Sequence, residues 1–103
     1  MHHLIDQHRA EIATMCRHYG VRQLEVFGSA ARGEDFDPEG SDADFLVAFD
    51  SARGLSPLEQ YFGLAGALER LLGRHVDLVE VGALRNPFVL ASINQAREVV
   101  YAS

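Results

Sequence analysis

Between Leu4 and Tyr19 the apolar positions Ile5, Ile12, Met15, Cys16 and Tyr19 recur at helical spacing, and Gly20 stands where a left-handed C-terminal cap is wanted. The spacing predicts a first helix over this stretch. Gln23 to Phe27 reads as a short strand ended by Gly28 and Ser29, and the acidic, glycine- and proline-containing run from Gly33 to Gly40 reads as a loop. Ala43 to Phe49 is apolar apart from Asp44, which predicts a buried or half-buried strand. Ser56, Pro57 and Glu59 form a capping-box start with proline at the first helical position, and Gly73 marks the end of that helix. Leu58, Phe62, Ala65, Leu68 and Leu72 are expected on its inner face. His75 to Val81 has the composition of a third strand, with Asp77, Val79 and Val81 on one side and Val76, Leu78 and Glu80 on the other. Asn86 and Pro87 open a last helix through Ala91, Ile93 and Gln95, and Val99, Val100 and Tyr101 close the chain as a strand. The resulting order is helix, strand, strand, helix, strand, helix, strand, an α/β (α+β) domain with a small mixed sheet covered by helices.

Length narrows this further. With 103 residues, 48% of them hydrophobic, the chain has material for one modest core, so residues 1–103 are expected to be a single domain. An enzyme of this size has little surface for gripping a second substrate, and the acceptor of any reaction is expected to be presented by another molecule. The formal net charge is −6 and all nine basic residues are scattered arginines, so no nucleic-acid footprint is visible. A basic protein or a metal-chelated nucleotide is the easier ligand. Cys16 has no partner for a disulfide and lies at core spacing, and no long uncharged apolar run suggests a leader or a membrane span. The cytoplasm follows as the default compartment.

The chemistry concentrates in Val26-Phe27-Gly28-Ser29-Ala30-Ala31-Arg32-Gly33 and, after the acidic loop, Ser41-Asp42-Ala43-Asp44-Phe45-Leu46-Val47. Gly28 lets backbone N–H groups come close to a phosphate, and Ser29 and Arg32 donate to the same oxygens. Asp42 and Asp44 stand two apart, so on an extended chain both carboxylates leave the same face and repel unless a cation lies between them. Oxygen-only ligands suit Mg²⁺ or Mn²⁺, which also neutralises a triphosphate. Asp77, on the next strand, is the natural third carboxylate, placed to complete a coordination shell and to take the proton of an attacking hydroxyl. Transfer of this kind depends on positioning and charge neutralisation, so no covalent enzyme intermediate is expected.

Taken together, Gly28, Ser29, Arg32, Gly33, Ser41, Asp42, Asp44 and Asp77 resemble the pattern of the DNA polymerase beta superfamily, and within it the minimal nucleotidyltransferases that pair with HEPN-domain proteins as antitoxin and toxin. The resemblance covers nearly the whole chain. It implies a polymerase-beta-like nucleotidyltransferase fold, with Asp42, Asp44 and Asp77 as catalytic and metal residues and Gly28, Ser29, Arg32 and Ser41 against the nucleotide. It also implies an Mg²⁺-dependent transfer of AMP, or several AMP units, from ATP, with two ions, to a tyrosine of a HEPN toxin; with the composition, neither nucleic acid nor membrane is expected as a partner. The loop between Ser29 and Asp42 is longer than the commonest family spacing and carries extra acids at Glu34, Asp35, Asp37 and Glu39, an insertion that loops tolerate at small entropic cost.

Plainer readings compete with each element. Asp35, Asp37, Glu39 and Gly40 imitate the opening of a calcium loop, but Leu46 stands where a bidentate glutamate is required. Asp77 alone is equally a strand residue pairing with Arg74 or Arg85. His2, His3, His8, His18 and His75 show no metal-ligand spacing and are expected to be surface or satisfied histidines, and Arg53 faces either a nucleotide or solvent. The competing function is a non-catalytic antitoxin that silences a ribonuclease by occupying its surface. Transfer to a small molecule is a third, disfavoured because enzymes of that kind look two-domain.

Overall fold

The computed structural model describes residues 3–27, 43–50, 54–81 and 97–103. In chain order these form α1 (His3–Gln7), α2 (Arg9–His18), β1 (Val21–Phe27), β2 (Ala43–Phe49), α3 (Pro57–Leu72), β3 (Val76–Glu80) and β4 (Arg97–Ala102). The strands make one mixed sheet in the order β3-β2-β1-β4. β1 runs antiparallel to β2 and β4, while β2 and β3 are parallel. A parallel pair needs a crossover connection, and α3 lies within it. The last predicted helix and the acidic loop lie outside the described residues.

The helix predicted over Leu4 to Tyr19 is interrupted at His8. Its φ of −105° and ψ of 16° leave the helical region. Its N–H donates to the Ile5 carbonyl at 3.1 Å, a tight three-residue closure from which α2 restarts. The far end of α2 follows the prediction, with Gly20 at φ 70°. In α3 the capping box is complete. The Ser56 hydroxyl accepts from the Glu59 N–H at 3.2 Å, the Ser56 N–H donates to Glu59 Oε1 at 3.4 Å, and Gly73 ends the helix at φ 68°.

One expectation for α3 is corrected. Its buried face is Gln60, Leu64, Ala67, Leu68 and Leu72, while Leu58 and Phe62 are exposed. The rotation is set by Gln60, whose amide donates to the carbonyls of Tyr19 at 2.9 Å and Asp50 at 2.7 Å. Two carbonyls at the ends of α2 and β2 would otherwise need other partners, and satisfying them outweighs burying Leu58 and Phe62. Gly63 then meets α2: a Cβ there would stand 2.4 Å from Tyr19 Cε1. Gly66, one turn on, has only the mobile end of Arg70 within 3.4 Å.

The core lies between the helices and one face of the sheet. Leu24, Val26, Ala43, Phe45, Val47, Val76, Leu78 and Val100 pack there against Ile5, Ile12, Cys16, Leu64, Leu68 and Leu72. Cys16 is fully buried, as its spacing predicts, and burial pushes its thiol from 9.0 up to about 12.

Two measurements check this packing. Gly63→Ala is expected to lose about 1–3 kcal/mol in urea unfolding by forcing the Tyr19 ring to shift, whereas Gly66→Ala is expected to gain up to about 1 kcal/mol from helix propensity. Because the folded chain keeps the Cys16 proton that the unfolded chain releases, stability falls as pH rises from 9.0 towards about 12 and is fully kept below that window. The alkaline loss should be smaller in Cys16→Ala than in the wild type.

Candidate active site

The opposite face of the sheet carries the charged residues. Register pairs Asp44 with Asp77 across β2 and β3, Asp44 with Phe27 across β2 and β1, and Phe27 with Arg97 across β1 and β4. Partners in register point to one face, so Asp77, Asp44, Phe27 and Arg97 form a single row across four strands. Adjacent strands are about 4.8 Å apart, which makes the two carboxylates neighbours and leaves the guanidinium at the far edge. The chain leaves β1 at Phe27, a member of this row, and re-enters the sheet at Ala43, next to Asp44.

Of the residues expected to act, Asp44 and Asp77 are described and brought together. Gly28, Ser29, Arg32, Ser41 and Asp42 lie outside the described residues, as do Arg53 and the loop acids Glu34, Asp35, Asp37 and Glu39. Among the described residues no group of three or more ligating side chains is poised to hold an ion. What is present is two carboxylates on neighbouring strands, oxygen donors of the kind a divalent cation takes.

His75 stands beside the aspartates, an exposed histidine with satisfied ring nitrogens, as expected of it. Nε2 lies 3.2 Å from Asp77 Oδ1 and Nδ1 lies 3.2 Å from Glu69 Oε1 on α3. The signal available in the sequence was its position two before Asp77, hence on the same side of β3. The plainer reading of Asp77 as an ion-paired strand residue is thus met in part, with His75 as partner.

Glu25 was also not foreseen. It sits on the charged face two residues before Phe27, yet is only 5% exposed. Its oxygens are satisfied by Arg97 Nε at 2.7 Å and by the Gln23 amide at 2.7 Å. Burial of a carboxylate is tolerable only with such partners.

Beside the aspartates, between α3 and β3, is a groove of about 540 Å³ lined by Asp44, Asp77, Glu69 and His75 and by the apolar Phe62, Ala65, Gly66 and Val79. The Tyr61 hydroxyl closes part of its wall by donating to the Leu78 carbonyl.

The comparisons with known proteins define the class to which this sheet and its paired acids belong. Residues 9–100 match the family pattern described as nucleotidyltransferase domain, and the chain belongs to that family. It is 37% identical over 98 residues to the protein adenylyltransferase MntA of Thermococcus cleftensis, covering 95% of this chain and 88% of that one. A solved structure of a candidate minimal nucleotidyltransferase is 35% identical and superposes with a TM-score of 0.70, covering 90% of this chain and 89% of that one. The Shewanella oneidensis complex of a tri-AMPylated HEPN toxin with an MNT antitoxin contains a chain of the same fold. That chain is 17% identical with a TM-score of 0.63, and the match covers 96% of this chain and 73% of that one. The expected fold is therefore the observed one, a polymerase-beta-like minimal nucleotidyltransferase.

Removing the guanidinium in Arg97→Ala should cost about 1–3 kcal/mol in chemical denaturation, because the Glu25 carboxylate stays buried. Glu25→Leu combined with Arg97→Ala should recover part of that loss, and additive single effects would show that the pair is not coupled.

Proposed function

We propose that this chain transfers AMP from ATP to a tyrosine hydroxyl of a HEPN-domain toxin and acts by that reaction as an antitoxin. The observation that carries the reading is the in-register pairing of Asp44 with Asp77 at the point where β1 hands the chain to residues 28–42. The relative with adenylyltransferase activity in its name and the AMPylated HEPN complex of like fold support the choice of group and partner.

In the proposed reaction the acceptor oxygen bonds to the α-phosphorus of ATP while the bond to the bridging oxygen breaks, and pyrophosphate leaves. Gly28, Ser29, Arg32 and Ser41 hold the phosphates through N–H and side-chain donors. Asp42, Asp44 and Asp77 would hold Mg²⁺, whose role when bound is to neutralise the triphosphate and the charge that develops on the attacking and leaving oxygens. The Asp77 carboxylate accepts the proton from the attacking hydroxyl and passes it to water. The cytoplasm, with its supply of ATP, suits the proposed reaction.

The test uses the purified chain, a HEPN-domain partner, Mg²⁺, and ATP labelled at either the α or the γ phosphate. The partner should acquire label from the α position alone, and Asp44→Asn should reduce it on the order of 100-fold or more. A tight complex that silences the partner with no label transferred would replace catalysis by simple binding as the mechanism.

A further inference from the structure

We propose that His75 is a positioning residue: held by Glu69, it fixes the Asp77 carboxylate in the orientation in which that group works beside Asp44. This rests on the nucleotidyl-transfer reading and adds the residues that set one of its acids. His75 Nε2 lies 3.2 Å from Asp77 Oδ1 and Nδ1 lies 3.2 Å from Glu69 Oε1, so the ring spans from α3 to β3. A ring nitrogen facing a carboxylate oxygen at this distance does so as an N–H donor. The contact takes Oδ1 of Asp77, and Oδ2 remains for the work assigned to that residue.

The need for such a hold comes from the register. Asp77 stands beside Asp44, and carboxylates directly opposite on neighbouring strands repel. An aspartate left to choose among staggered rotamers would turn away from its neighbour. A group that must be found in one geometry at the moment of reaction loses rate when it wanders. His75 opposes this at the carboxylate itself. Tyr61 opposes it at the backbone, through the bond from its hydroxyl to the carbonyl of Leu78, the residue after Asp77. Tyr61 and Glu69 are eight residues apart on α3, hence on one side of it, so a single helix face holds both the strand and its acid. Asp77 held in this way lines the same groove as Asp44. The neighbouring cation, Arg70, is directed elsewhere, with Nη1 3.4 Å from the place a Cβ at Gly66 would occupy.

Stability is a poor account of the arrangement. The side chains of His75, Asp77 and Glu69 are 60%, 53% and 36% exposed, and pairs open to water to this degree contribute at most about 1 kcal/mol to folding. What they change is the orientation of the group they touch, as partners behind a ligating or reacting side chain do.

Steady-state transfer of AMP to the HEPN-domain partner, with Mg²⁺ and ATP, tests this. His75→Ala should keep its melting temperature and its KM for ATP and lower kcat roughly 10- to 100-fold. His75→Gln, whose amide N–H can stand where Nε2 stands, should recover most of that loss. Glu69→Ala should cost less than His75→Ala and nothing further when combined with it, because the two act through one contact. An unchanged kcat in His75→Ala, a glutamine variant no better than the alanine one, or a loss matched by a fallen melting temperature would overturn the proposal. Crystal structures of the wild type and of His75→Ala give a reading that needs no turnover: the Asp77 carboxylate should leave its wild-type orientation in the variant, and one that stays in place sinks the idea. If the wild type transfers no AMP while Asp77 moves in the variant, the reaction is refuted and the hold stands. Transfer by His75→Ala as fast as by the wild type refutes the hold and leaves the reaction intact. No transfer together with an unmoved Asp77 sinks both.

Discussion

Everything that distinguishes this domain from a generic helix-covered sheet depends on one parallel pairing. β2 and β3 must run the same way and in one register for Asp44 to stand beside Asp77. Because side chains alternate faces, a slip of one residue would turn Asp77 towards the helices and bring Leu78 out of the core, so hydrophobic burial enforces the alignment of the acids. The parallel direction in turn requires a crossover. α3 supplies its helix, contributes Leu64, Leu68 and Leu72 to the core, and forms one wall of the groove. Core, acid pair and groove are three results of a single connection.

The two faces of the sheet are chemically opposite. The helix-covered face is apolar and its one thiol is held neutral by burial. The other face carries a row with acids at one edge and a guanidinium at the other, and beside it lies Glu25, buried with both oxygens occupied. A buried, doubly partnered carboxylate holds the β1–β4 side together, whereas on the opposite side Asp44 and Asp77 are register neighbours, with Asp77 paired to an exposed histidine. The same residue type thus stands in two different surroundings on one face.

Features encoded locally were legible before folding. The apolar run from Ala43 to Phe49, the Ser56 and Glu59 capping box and the left-handed glycines at 20 and 73 are each settled within a few residues, and all are found. What was missed depends on distant partners. The rotation of α3 follows from Gln60 reaching Tyr19, 41 residues away, so periodicity alone favoured Leu58 and Phe62 as buried. The burial of Glu25 depends on Arg97, at the far end of the chain, and the break at His8 breaks an unbroken apolar pattern. Of the candidate site, the residue types were visible from their resemblance to a family, but the adjacency of Asp44 and Asp77 is a property of register, and His75 joins them only once β3 and α3 are packed.

The bond from the Tyr61 hydroxyl to the Leu78 carbonyl bears on what the edge of β3 can pair with. The His75 carbonyl accepts from the Ala43 N–H on β2, so alternation turns the Leu78 carbonyl away from the sheet, towards the flank where an extended segment would otherwise add itself as a further strand. With that acceptor engaged by a ring from α3, a segment arriving there does not meet a ready template for backbone pairing. Among the described residues the edge of β3 is thus a poorer template for a further strand than its backbone alone would make it, which removes one route to self-association.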